Sequence, residues 1–222
     1  MQSHYSIRIL KSAAIVGCLI AIVANAGCVQ LAANLLHVWH GGEIPAEFDD
    51  LKGKRVAVVA ITDAGVSTDP NSILLANFVR GLLEKNVKKI DLVTQDEVDP
   101  WFDGDNKGGE KDFLAMGKGV KADMVVAVEM TQLTLRDGQT LFRGKSNLAV
   151  SVYDMKKSGK TVFRKKQSDF AYPEMGGLTI TETDETKFRR IYLLQVAERL
   201  SHYFYGHELG SDVANDATML NY

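Results

Sequence analysis

Arg55-Val56-Ala57-Val58-Val59-Ala60-Ile61 is an unbroken apolar run, rich in β-branched residues, behind a single arginine. A strand with one wet face alternates apolar and polar residues. A strand covered on both faces does not alternate, so this run predicts a central strand with a layer on each side. Met124-Val125-Val126-Ala127-Val128 has the same character and predicts a second buried strand. The segment between the two carries helix signals. Asp69-Pro70 supplies an N-cap and a first-turn proline, and the stretch Ile73 to Val87 sets Leu75, Val79, Leu82 and Leu83 on one side. Gly81 inside it weakens the helix or permits close packing.

Lys89 to Val93 reads as a further strand. Thr94-Gln95-Asp96-Glu97 reads as a capping box that opens a short helix ending before Gly104. Glu110 to Lys118 predicts another helix, closed by Gly119. Beyond Val128 the pattern changes. Gln132 to Leu135 extends the strand, Asp137-Gly138 is a hairpin turn, Leu141 to Tyr153 is a strand, Lys157-Ser158-Gly159 is a turn, and Thr161 to Phe170 is a last strand. Residues 173 to 183 read as a loop. Asp184 then opens a long helix to about Tyr205, with Leu193, Val196, Ala197, Leu200 and Phe204 at helical spacing. Strands joined through helices run parallel and strands joined by tight turns run antiparallel. The expected fold is therefore α/β, a mixed parallel/antiparallel sheet with helices packed on it, in the order β-α-β-(α)-α-β-β-β-α, as a single domain.

Outward from this domain, the first residues have the layout of an export signal. Arg8 and Lys11 form a basic start, Ala13 to Ala24 is apolar, and Ala24-Asn25-Ala26-Gly27-Cys28 follows. The apolar run is too short to span a bilayer. Cleavage after Ala26 and Gly27 would leave Cys28 as a lipidated first residue. Ala24-Asn25-Ala26 also reads as an ordinary signal-peptidase site that would release a soluble protein, and Ile15-Val16-Gly17-Cys18 is a second lipidation-like box with a short apolar run before it. Cys18 and Cys28 are the two cysteines of the chain. Lipidation gives Cys28, the one thiol outside the apolar run, a reason to be there. The expected organisation is an export signal over 1–27, an anchor cysteine and linker over 28–50, the α/β domain over 51–208 and a tail over 209–222. Leu31 to Trp39 could form a short helix in the linker.

Apolar content of 45% and charged content of 24% are those of a globular protein. The 26 basic residues less Arg8 and Lys11, against 28 acidic ones, give the mature chain a net charge of −4. That balance does not point to nucleic acid.

No residue set assembles a catalytic constellation, and no cofactor is expected. Gly117-Lys118-Gly119-Val120-Lys121-Ala122 matches a dinucleotide fingerprint on paper, but it lies after a helix and before a strand. That order offers no helix N-terminus to a phosphate, so the glycines read as a helix stop. Asp103-Gly104-Asp105-Asn106-Lys107-Gly108 opens like a calcium loop but has Lys107 at the fifth position and Leu114 at the twelfth, so it reads as a solvated loop. His37 and His40 near Glu43 lack a third ligand at a supporting spacing, so no metal is expected. His202 and His207 flank Tyr203-Phe204-Tyr205, a cluster expected to pack the last helix on the sheet. Arg164-Lys165-Lys166, on a predicted strand, reads as a charged edge that resists aggregation or as a basic patch for anionic lipid or an acidic partner. No serine sits in a nucleophile elbow.

The order of elements and four stretches resemble a family of periplasmic lipoprotein domains, those of the CsgG, LpoB and TolB N-terminal-domain type. Lys54 to Val59 is similar to its first strand, and Asp69 to Val87 to its first helix. Met116 to Val126 resembles its glycine-to-Ala-Asp helix–strand step. Val150-Ser151-Val152-Tyr153-Asp154 with Ser158-Gly159-Lys160-Thr161-Val162-Phe163 resembles its hairpin. The resemblance covers about residues 51 to 205. It implies a non-catalytic envelope lipoprotein on the periplasmic side of a membrane, held there by its lipid and acting on an envelope protein partner. The alternatives are a secreted or anchored hydrolase, and a structural subunit of an envelope complex.

Overall fold

The computed structural model describes residues 43–63, 69–102 and 109–208. The chain divides into two units, Met1–Ile44 and Pro45–Tyr222. In the first, Glu43 and Ile44 are described, and both are extended and exposed. Ala26, Gly27, Cys28, the Leu31 to Trp39 segment with His37 and His40, the loop through Gly65, the Asp103–Gly108 loop and the tail from residue 209 lie outside the described residues.

In the second unit the central strands form where the apolar runs lie. β1 (Arg55–Ile61) leads into α1 (Pro70–Asn86). Then come β2 (Asp91–Leu92), the one-turn α2 (Gln95–Val98) and α3 (Glu110–Gly119). The long strands β3 (Met124–Asp137), β4 (Leu141–Asp154) and β5 (Lys160–Tyr172) follow. Short β6 (Leu178–Thr179) and α4 (Glu185–Ser201) close the fold. The strand order is β2-β1-β3-β4-β5, with β6 also beside β4. β1 pairs in parallel with β2 and β3, whereas β3–β4, β4–β5 and β4–β6 are antiparallel. The sheet is therefore mixed, as the connections require.

β1 and β3 lie in register, Val56 beside Met124 and Val58 beside Val126, so their side chains divide by the period of two between the faces. Val56, Val58, Ala60, Val126 and Val128 point into the larger core against α1 and α4. Ala57, Val59, Val125 and Ala127 point into a smaller core with Phe102, Phe113 and Met116, on the side of α2 and α3. Both faces are covered, which is why these strands are continuously apolar.

The caps form where polar residues precede apolar periodicity. Asp69 Oδ2 accepts from the N–H groups of Asn71 and Ser72 at 3.1 Å and from the Thr62 hydroxyl at 2.8 Å. This ties the end of β1 to the start of α1. Asp184 Oδ1 accepts the Lys187 N–H at 2.8 Å. At Thr94 the Glu97 carboxylate accepts from both the Thr94 N–H and its hydroxyl at 3.3 Å.

Several elements differ from the expected bounds. β2 has two residues instead of Lys89 to Val93, and Lys89, with a left-handed φ of 59°, lies in the turn before it. α4 ends at Ser201 rather than near Tyr205. The Phe204 N–H turns back to the Ser201 carbonyl, and Phe204 is buried from that turn. Residues 173 to 183 are not a plain loop, since Leu178 pairs with Phe142 and Thr179 with Leu141. Gly81 permits no close packing, as a Cβ there would meet open space. At Gly119, by contrast, a Cβ would sit 1.7 Å from the Trp101 ring, so the glycine admits an aromatic ring; it is the last residue of the helix, and Lys121, with a φ of 54°, rather than the glycine takes the left-handed turn beyond it.

Candidate functional site

β5 is an edge strand of the sheet, and among the described residues no strand pairs with its outer side. Its first half carries Arg164, Lys165 and Lys166. The structure does not gather these three cations into one patch. Arg164 pairs with Ser151 across the ladder, Lys165 with Val150 and Lys166 with Ala149. Directly opposite residues share a face, so Lys165 lies on the α4 side and the other two on the α3 side.

Two of the three are also engaged. Arg164 Nε donates to the Ser151 hydroxyl at 3.0 Å, and its Nη2 lies 3.7 Å from a Glu110 carboxylate oxygen. Lys165 Nζ bonds the Glu47 carboxylate and lies 5.8 Å from the centre of the Tyr203 ring. The bond to Glu47 holds the Lys165 ammonium above its ordinary value. Lys166 is exposed. Within the triplet it is Lys165 that bonds the segment 45–50, through Glu47. There the Phe48 ring packs tilted 5.4 Å from Phe163 and edge-on 6.3 Å from Phe204, and its N–H bonds the Tyr203 carbonyl at 2.9 Å.

The second half of β5 borders a cleft of about 440 Å³. One wall is the strand from Gln167 to Tyr172, another is Gln195, Glu198 and Arg199 of α4, and the third is Glu174 and Met175 from the segment after the strand. Each wall has a local cause. β5 bulges at Asp169, which takes a φ of 55° while the partners shift from Leu148–Gln167 to Ser146–Phe170. The Asp169 N–H, turned out of the ladder, is accepted by Asn147 Oδ1 at 3.0 Å. On α4, Tyr192 is buried with its hydroxyl 2.7 Å from Ser146 Oγ and bonded to the Phe170 carbonyl at 3.3 Å, which sets the depth at which the helix meets the strand. Burial pushes the Tyr192 phenol far above its ordinary value, so it stays neutral. Close approach at this point depends on Gly144, where a Cβ would sit 2.0 Å from the Tyr192 ring.

The third wall is held from β4. Arg143 Nε donates to the Pro173 carbonyl at 3.2 Å, and its Nη2 to the Glu174 carbonyl. Four residues on, β6 pairs with β4. The segment between these two ties presents Met175, which is 88% exposed.

The polar lining is unbalanced in sign. Asp169, Glu174 and Glu198 face one cation, Arg199. Arg199 Nε donates to Gln167 Oε1 at 3.0 Å, and Gln195 Nε2 to Glu198 Oε2 at 3.1 Å. Asp169 and Glu174 form no ion pair among the described residues. Also among the described residues, no group of three or more His, Cys, Asp or Glu is placed to hold a metal ion, and no helix is long and apolar enough to cross a membrane.

From the sequence alone the cleft had no role. The available signals were Asp169 inside a strand and Pro173-Glu174-Met175-Gly176-Gly177 directly after it. Gly177 leaves no room for a side chain, since a Cβ there would lie 2.9 Å from the Phe142 carbonyl oxygen.

No protein family is matched by the sequence, and no curated protein matches it. Solved structures similar to it include the LpoB C-terminal domain from Salmonella enterica, at 14% identity and a TM-score of 0.38, covering 58% of this chain and 96% of that one. The hypothetical protein CT253 from Chlamydia trachomatis is 13% identical with a TM-score of 0.42, covering 68% and 97%. Lipoprotein GNA1162 from Neisseria meningitidis is 8% identical with a TM-score of 0.41, covering 67% and 98%.

Proposed function

We propose that this chain is an exported envelope lipoprotein, anchored through Cys28, whose α/β unit works by contact with another protein rather than by catalysis. The observation that carries the reading is β5. It is a 13-residue edge strand with no strand on its outer side among the described residues. Its backbone N–H and C=O groups offer a template on which an extended segment can pair. The N-terminal pattern ending at Cys28 supplies the compartment and the tether. One or two acyl chains with a further attachment would hold the unit at a membrane without a spanning helix. Arg164 and Lys165 are engaged by Glu110 and Glu47, which reduces the basic charge that the triplet offers a lipid surface and so favours protein over lipid as the partner.

The test has two arms. Intact mass of the native protein, compared with Cys28→Ala, reports the anchor. Acyl mass that is lost in the variant supports it, and a mature mass with a free thiol removes it. Photo-crosslinking from single positions spread over the α/β unit, carried out in cells, reports the partner. Crosslinks to a defined envelope protein support the reading, and an absence of crosslinks from every position sinks it.

The acid-lined cleft favours a second reading, an anchored hydrolase that uses Asp169, Glu174 or Glu198 as acid or base. Turnover of ester, glycoside or peptide substrates that disappears on Asp169→Asn or Glu174→Gln would replace the first reading with this one.

A further inference from the structure

The cleft beside β5 joins three features that the rest of the fold does not explain. Its lining carries three carboxylates against one guanidinium. Its outer wall holds an apolar side chain, Met175, almost wholly in water, on a segment that Arg143 and β6 fix at both ends. Its inner wall is the edge of the sheet. A long apolar stem ending in a positive charge fits the first two features, and an extended backbone fits the third.

We propose that the cleft receives the lysine or arginine side chain of an extended segment of a partner protein, with Met175 covering the stem and Asp169 and Glu174 facing the charge. This rests on the protein-contact reading and names the chemistry of the partner. Asp169 and Glu174 form no ion pair among the described residues, so a partner cation meets carboxylates it need not win from another cation. Asp169 is held by its backbone to Asn147, and the Glu174 carbonyl by Arg143, so both walls stand in place before binding and little ordering is needed. The bulge at Asp169 interrupts the edge ladder there. Selectivity at this point therefore falls to the side chain in the cleft rather than to backbone pairing.

The test is panning of a displayed random dodecapeptide library on the full-length protein in detergent, with the Asp169→Lys/Glu174→Lys variant as counter-selection. Circular dichroism of the variant checks its fold, and Met175→Ser, which removes the apolar cover without adding charge, serves as a second variant on the exposed wall. The expected result is enrichment of peptides with a lysine or arginine between β-branched residues. Their binding should weaken roughly tenfold or more in either variant and fall as salt is raised. Acidic or purely apolar consensus peptides, no enrichment, or full binding to both variants overturns the proposal. Dimerisation of the wild type that is lost in the variants assigns the cleft to a second copy and overturns it as well. Crosslinks in cells from other surfaces but none from position 175 would end this inference and leave the protein-contact reading standing.

Discussion

Asn147 accepts the N–H of Asp169 at 3.0 Å, and through its amide it joins two bulges on opposite sides of β4. Its Nδ2 donates to Gln132 Oε1 at 2.8 Å. Gln132 has a φ of 57°, and its own N–H is accepted by Asp63 Oδ1 at 2.7 Å. A polar seam thus crosses three strands, from Asp63 to Gln132 to Asn147 to Asp169. The two outer links satisfy the Gln132 and Asp169 N–H groups, which the bulges take out of the ladder, and the middle link joins the two side-chain amides.

Asn147→Ala removes a donor and an acceptor that serve these two bulges. We expect a loss of about 1–2 kcal/mol in stability, read as a lower urea midpoint. Hydrogen exchange should be faster at Asp169 and Phe170 than at Val150. Uniform exchange along β4 and β5 would show that the seam does not hold the edge.

Gly144→Ala is predicted to cost about 1–3 kcal/mol or more. The new methyl would lie 2.0 Å from the Tyr192 ring, which is fully buried between α4 and the sheet and has nowhere to move. Tyr192→Phe keeps the ring and loses only the bonds to Ser146 and the Phe170 carbonyl, so it should cost about 0.5–1.5 kcal/mol. Thermal melts of the two variants check the order. A Gly144→Ala protein as stable as the wild type would mean that α4 sits further from β4 than described.

Phe48→Ala should destabilise the α/β unit by about 2 kcal/mol, below the cost of a fully buried phenylalanine because its site is only partly buried. Lys165→Ala, on the same surface, removes a half-exposed ion pair and should change stability by about 0–1 kcal/mol. Denaturant midpoints separate the two. A larger loss in Lys165→Ala than in Phe48→Ala would show that Glu47, rather than Phe48, holds residues 45–50 to the unit.

Asp123 accepts from Lys156 Nζ at 2.8 Å and from the Arg55 N–H at 3.0 Å. The Lys156 bond and then the Arg55 bond hold its carboxyl below the usual carboxylate range. A folded-state value below the unfolded one means that the ionised form favours folding. The contribution is complete above the unfolded value, near pH 4, and is lost as pH falls through the folded value. Asp123→Asn should therefore lower the urea midpoint at pH 7, and the gap to wild type should close below about pH 4. A gap that persists unchanged at pH 2 would assign the effect to the amide itself.

Much of the fold was legible because its signals are local. The continuous runs at Val56–Ile61 and Met124–Val128 required cover on both sides, and the two separate cores on either face of β1 and β3 provide it. Asp69 and Asp184 cap the helices that follow them, since an N-cap acts within three residues of itself. Tight turns at Gly138 and Gly159 make the later strands antiparallel, as the chain geometry demands. The bounds of β2 and α4 were less legible: Lys89 turns left-handed before β2, and Phe204 packs from a turn after α4.

The α/β class, the two central strands, the caps and the succession of elements follow from the order of residues alone, because helix and strand periods, caps and turns act over a few residues. Which charges meet depends on long-range packing. It set Lys165 against Glu47 and Arg164 against Glu110, partners 118 and 54 positions away in the chain. It also formed the cleft from Asp169 on β5, Glu198 on α4 and Met175 between them. Apolar burial, which drives α4 onto the sheet, has no preferred direction. Where the helix comes to rest is set by contacts such as Tyr192 over Gly144, and residues far apart in the chain form one site only once that packing is complete.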